Sequence, residues 1–189
     1  MGRTEGLQPW RRVFHLVGGL GVAWLVYALT PHAAATRWIF GAVLAIALLG
    51  DVLRLRAELV NRFILRTFRG LLRPREADTL SLSWYMLGVF LVLWVPDGAR
   101  AVPALLVLAV ADPVAGLVGE VWGSHAIGQG SVEGSLAFFV VALAILVPFA
   151  GITAALAVAV IVTAVEVLPT PLDDNLLIPV VTALSLWVL

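Results

Sequence analysis

Apolar residues run along the chain in long blocks, each closed by a short cluster of Gly, Pro, Arg, Asp or Glu. A bilayer core takes about 20 mostly apolar residues per crossing helix. On that measure the blocks predict helices over 13–29, 36–53, 80–95, 100–122, 133–150, 152–168 and 175–189. The stretch from Arg54 to Arg75 departs from the pattern. There Phe63, Ile64, Leu65, Phe68, Leu71 and Leu72 interleave with Arg62, Arg66, Arg69, Arg73 and Arg75, which predicts a basic amphipathic helix on the membrane surface. The expected fold is all-α: a polytopic membrane bundle of about seven transmembrane helices with one interfacial helix, forming a single domain over 1–189.

Composition points the same way. Of the 189 residues 61% are hydrophobic and 13% charged, with a mean hydropathy of +1.03, whereas soluble domains are about 45–50% apolar and roughly 25% charged. A water-soluble globule is excluded. Cys is absent, which removes disulfides, thiolate nucleophiles and cysteine metal sites. All twelve basic residues are Arg, so phosphate binding has to rest on Arg, backbone N–H groups or a metal. The polar segment Met1 to Arg12 leads into the first block without a small-residue cleavage site, and Val13 onward reads as a retained membrane helix. The last block reaches Leu189 with no polar tail.

The arginines set the orientation. With the N-terminus inside, ten of them lie on the inner side and only Arg37 and Arg100 outside, as the positive-inside rule requires. The loops 123–132 and 169–174 then share the cytoplasmic face, while the connections at 96–99 and around Gly151 lie outside. The polar chemistry is thus gathered where nucleotides are available. No nucleic-acid partner is expected.

Arg11, Arg12 and His15 open the first helix, and the four-residue spacing puts Arg11 and His15 on one face. An inside anchor with a chance histidine is the plain alternative. Asp51, Arg54, Glu58 and Asn61 or Arg62 recur at helical spacing, which also suits a salt-bridged, solvated helix. Glu76 follows Arg73-Pro74-Arg75 and is placed to pair with an arginine or a ligand.

The strongest local signal is Asp112-Pro113 within an apolar run, followed by Gly116, Gly119 and Gly123 on the same stripe. A charge at membrane depth costs about 2.5–3.5 kcal/mol on insertion scales and faces a polar cavity or partner. The alternatives are an N-cap for Asp112 and helix packing for the glycines. The segment Ser131-Val132-Glu133-Gly134-Ser135 then opens the next helix, and a helix N-terminus is a ready anion site; a serine N-cap on a flexible loop is the alternative. It lacks the spacing of a P-loop. Glu166, Asp173, Asp174 and Asn175 bring carboxylates and an amide to two helix ends. With Asp112 such a set suits Mg²⁺ bound together with phosphate.

Taken in order, these elements resemble the membrane family of CTP-dependent lipid kinases that includes dolichol kinase, phytol kinase and the yeast-type diacylglycerol kinase. The resemblance spans nearly the whole chain. It rests on Arg11-Arg12-x-x-His15, on Arg54, Asn61, Arg73 and Glu76, on Ala111-Asp112-Pro113-x-Ala115-x-x-Gly119 with Gly123, on Ser131-x-Glu133-Gly134-Ser135, and on Glu166 with Asp173-Asp174-Asn175 and Pro179. It implies transfer of the terminal phosphoryl group of CTP to the hydroxyl of a lipid alcohol, with Mg²⁺. Asp112, Arg11, Arg12 and His15 are then expected in catalysis. Nucleotide or phosphate binding is expected of Gly116, Gly119, Gly123, Ser131, Glu133, Gly134, Ser135, Arg54, Asn61, Arg73 and Glu76, and metal binding of Asp112, Glu166, Asp174 and Asn175.

The chain departs from the family at two positions, Gly130 and Arg12, where its members often carry lysine. Phosphatidate cytidylyltransferases share an Asp-containing helix and a Glu-Gly pair, but their C-terminal signature is missing. A small transporter or scaffold is the reading from another class. Polar residues confined to the inner half argue against a conduit, which needs a path to both sides.

Overall fold

A long apolar segment in a membrane satisfies its backbone N–H and C=O groups by forming an α-helix. The computed structural model describes residues 9–67, 81–96 and 98–189, and these are mostly helical. In chain order they form α1 (Pro9–Leu29), a 3-10 turn (Thr30–His32), α2 (Ala33–Arg56), α3 (Glu58–Thr67) and α4 (Ser81–Val92). A second 3-10 turn (Gly98–Arg100) leads into α5 (Ala101–Leu106), a π-helical turn (Val107–Ala111) and α6 (Asp112–Trp122). A small antiparallel hairpin of β1 (Ala126–Ile127) and β2 (Gly130–Ser131) precedes α7 (Val132–Val167) and α8 (Asp174–Val188).

Among the described residues three helical runs are long and apolar enough to cross a membrane: Trp10–Arg56, Ala101–Trp122 and Val132–Val167. The all-α expectation holds, while the expected count of about seven transmembrane helices is not supported. Within the described residues the 12 residues of α4 and the 15 of α8 extend about 18 and 22 Å at 1.5 Å per residue, against a core about 30 Å thick. Of the amphipathic segment expected over 54–75, α3 lies within the described residues. It carries exposed Leu59, Val60 and Phe63 beside exposed Arg62.

Two of the long runs are broken internally. Trp10–Arg56 is interrupted at Thr30–His32, where Pro31 opens the 3-10 turn and His32 leaves helical backbone at φ −116°, ψ 49°. The Thr36 hydroxyl lies 2.8 Å from the Leu29 carbonyl and 3.0 Å from that of His32, and so ties the turn together. Val132–Val167 breaks at Gly151, with φ 74° and ψ 166°, three residues after Pro148. Ser135 and Glu166 are 31 residues apart in that run, a separation of about 46 Å along a straight helix. Yet Ser135 Oγ donates to Glu166 Oε2 at 3.0 Å. α7 is therefore a helical hairpin whose arms return to the same end of the molecule.

The core has two parts. The π turn, α6, both arms of α7 and α8 bury Leu108, Ala115, Phe138, Leu146, Val158 and Ile178. Ala23, Phe40, Val89, Leu105 and Ala183 join α1, α2, α4, α5 and α8. α8 belongs to both and locks the halves together. The two short helices end on arginine: Arg37 Nε donates to the Leu93 carbonyl at 2.9 Å and its guanidinium stacks on Trp94, while Arg100 donates to the Leu186 carbonyl. Carbonyls at a helix C-terminus lack intrahelical donors and carry partial negative charge, so these two cations finish helices that stop short.

Candidate functional site

The site begins with a proline. Pro113 has no N–H and cannot complete the helical ladder to the preceding turn, and the chain reaches it through the wide π turn at Val107–Ala111. Such turns occur frequently at functional sites. Gly19 lets α1 press against this turn, since a Cβ there would lie 2.6 Å from Ala109 Cβ. One turn earlier on α1, His15 Nε2 lies 3.3 Å from the Leu108 carbonyl and 3.6 Å from Asp112 Oδ2. Both neighbours are oxygen acceptors, so Nε2 is assigned the ring proton.

Arg12 reaches the same helix. Its Nη2 donates to the Gly116 carbonyl at 3.0 Å and pairs with Glu120. A Cβ on Gly116 would stand 3.7 Å from that Nη2, so the bare backbone leaves room for the guanidinium. Arg11 precedes it on the first turn of α1. Glu120 escaped the sequence reading, although a carboxylate eight residues after Asp112 on the same face was a usable signal.

The other glycines of the stripe serve close packing between α6 and the start of α7. A Cβ on Gly119 would approach Ser131 Oγ to 2.9 Å, one on Gly134 would approach the Ala115 carbonyl to 2.9 Å, and Gly123 also faces Ser131. Ser131 itself is the N-cap, accepting from Gly134 N at 3.1 Å. Glu133 folds back on the preceding loop, where it accepts from Ser124 Oγ and from His125 Nδ1 at 2.8 Å. The hairpin turns at Gly128, whose φ of +52° suits glycine. Next to it Gln129 Nε2 donates to the Leu168 carbonyl at 3.1 Å. The loop is thereby tied to the far end of the α7 hairpin, beside Glu166. A Cβ on Gly130 would lie 3.8 Å from Glu166 Oε1, so a side chain there would lie beside that carboxylate.

Asp112 and Glu166 are close enough to feel each other's charge, but the four-residue metal set is not assembled. Among the described residues no three His, Cys, Asp or Glu side chains form a metal-holding group. At the start of α8 the residues are engaged locally: Asp173 Oδ1 accepts from Asn175 N at 3.0 Å and from Asn175 Nδ2 at 2.7 Å. A Cβ on Gly88 of α4 would meet the Asn175 carbonyl, which fixes how deep α8 starts. Mg²⁺ is usually held by one or two carboxylates together with substrate phosphates, and of the expected set Asp112 and Glu166 are the two that interact.

Arg54 and Asn61 belong to a separate cluster. Arg54 is fully buried, donating to Asn61 Oδ1 at 3.0 Å and pairing with Asp51 Oδ1 at 3.3 Å, and Ser83 of α4 donates to the other Asp51 oxygen. In place of a solvated helix face, the structure has a buried polar clamp joining α2, α3 and α4. The Arg54 guanidinium is thus engaged with side chains of its own chain. Arg73 and Glu76 lie outside the described residues.

Comparison with known proteins finds two relatives. The chain belongs to the same family as the uncharacterized protein RP860 of Rickettsia prowazekii, with 32% identity over 188 residues that cover 93% of this chain and 91% of that protein. A shorter stretch of 98 residues is 34% identical to the CTP-dependent diacylglycerol kinase 1 of Schizosaccharomyces pombe, covering 50% of this chain and 45% of the kinase. No family model matches, and no solved structure does.

Proposed function

We propose that the protein is an integral-membrane lipid kinase that transfers the terminal phosphoryl group of CTP to the hydroxyl of a lipid alcohol. The observation that carries this reading is the convergence of Arg12 and His15, Asp112 and Gly116, and Ser135 and Glu166 from three helices at one end of the bundle. The partial likeness to a CTP-dependent diacylglycerol kinase supports the choice of reaction and donor. In this reading the interrupted runs each cross twice, and the N-terminus lies inside with the site.

Phosphoryl transfer asks for charge neutralisation and in-line positioning more than for covalent chemistry. Arg12 is built to exchange Glu120 for a phosphate, because a guanidinium binds either oxyanion with the same fork. His15, held between Leu108 and Asp112, orients the acceptor hydroxyl; as its oxygen bonds to the γ-phosphorus, the bond from that phosphorus to the bridging oxygen breaks, CDP leaves, and Asp112 takes the hydroxyl proton. Ser131 to Ser135 present the N-terminal end of α7 to the nucleotide phosphates. Mg²⁺, held by Asp112 and Glu166 with the phosphates, would offset their negative charge.

The test is incubation of the purified protein with γ-labelled CTP, magnesium and a lipid alcohol, followed by organic extraction. Label in the lipid phase, competed by unlabelled CTP more strongly than by ATP, is the expected outcome. Equal or better competition by ATP overturns the donor assignment, and absence of labelled lipid overturns the reaction.

A further inference from the structure

Resting on the lipid-kinase reading, we propose that Tyr85 recognises the acceptor lipid by donating a hydrogen bond to an ester carbonyl beneath its reactive hydroxyl. The site would thereby prefer a diacylglycerol-type alcohol to an alcohol without a carbonyl there. The Tyr85 ring packs against both halves of the core and lies 6.4 Å, centroid to centroid, from His15. Its hydroxyl is buried and has no hydrogen-bond partner among the described residues. Around it stand Gly19 of α1, whose Cβ position is 3.9 Å away, and the neighbouring Ala109 of the π turn, neither of which offers a polar side chain.

A buried hydroxyl without a partner is costly, and one buried for a ligand discriminates against ligands that cannot pair with it. Its depth identifies the ligand atom. Gly19 is four residues past His15, and Ala109 three residues before Asp112, so both helices place the hydroxyl about one turn, or about 5–6 Å, deeper than the reacting groups. In a diacylglycerol the free hydroxyl and the nearest ester carbonyl are separated by two glycerol carbons and the ester oxygen, which suits that offset. A prenol has only hydrocarbon at the same depth. Gly18, beside Gly19 on α1, is exposed with open space at its Cβ position, which leaves a side for acyl chains to approach.

The experiment measures thermal stabilisation of the purified protein in detergent by dioleoylglycerol and by the matching dioleyl glycerol diether, without nucleotide. Wild type should be half-saturated at about tenfold lower ester than ether, the size of one neutral hydrogen bond. Tyr85→Phe, which fills the same space, should bring the two within about twofold while its own unfolding temperature holds or rises. Equal response of wild type to ester and ether overturns the proposal, whatever the variant does. So does a Tyr85→Phe protein that keeps the ester preference and unfolds earlier, the mark of a hydroxyl serving the fold. If the preference and its loss are seen while CTP phosphorylates neither lipid, the recognition by Tyr85 stands and the kinase reading falls.

Discussion

Arg54 is buried with Asp51, Asn61 and Ser83 around it, and the cost of stranding one of those charges is what makes the cluster matter. Arg54→Met should destabilise the protein by about 3–5 kcal/mol, because it leaves the Asp51 carboxylate uncompensated, while the double change Asp51→Leu with Arg54→Met should recover much of that loss. Thermal unfolding of the two variants checks it; equal stability of single and double variants would show that a stranded Asp51 carboxylate is not the source of the loss. The helical spacing of Asp51, Arg54 and Asn61 could be read from the sequence, but their burial could not, because the partner Ser83 comes from α4, 32 residues from Asp51. Asp112 stood out for the opposite reason, as a charge inside an apolar run. Glu120 was legible as a second carboxylate on the Asp112 face, whereas Tyr85 carried no local mark, since its meaning comes from His15 on another helix.

The π turn, the Thr30–His32 turn and the Gly151 break are the elements that turn apolar runs into a site. Sequence pattern placed boundaries at residues 29 and 151, where Pro and Gly end a helix, and both coincide with observed breaks. The block lengths already marked several helices as short for a full crossing, and α8, with 15 residues, is one of them. Gly151 occupies a region of φ and ψ open almost only to glycine, so Gly151→Ala should cost about 1–3 kcal/mol. Because it also loosens the return of Glu166 to Ser135, lipid kinase activity should fall with it. Thermal unfolding and turnover measured together test this; an unchanged unfolding temperature would mean that the hairpin tolerates another turn.

Over the whole molecule, the account requires the loop 123–132, the loop 169–174 and the N-terminus to share one membrane face. Hydrogen bonds from Gln129 to Leu168 and from Ser135 to Glu166 already join the two arms of α7 there. Single cysteines at Ser124 and Thr170 in this cysteine-free chain should both react with an impermeant reagent only from the cytoplasmic side, and labelling of either from outside would break the shared-face arrangement. The central claim, that Asp112 is the chemical centre of a phosphoryl transfer, is tested most directly by Asp112→Asn. Asparagine keeps the size and caps a helix as well as aspartate does, but it loses the charge that binds magnesium and takes a proton. Transfer of label from CTP to lipid, measured beside thermal unfolding, should drop at least 100-fold in a protein that unfolds at or above the wild-type temperature, a loss of the size general-base catalysis supplies. A well-folded Asp112→Asn protein with near-normal turnover would contradict the account.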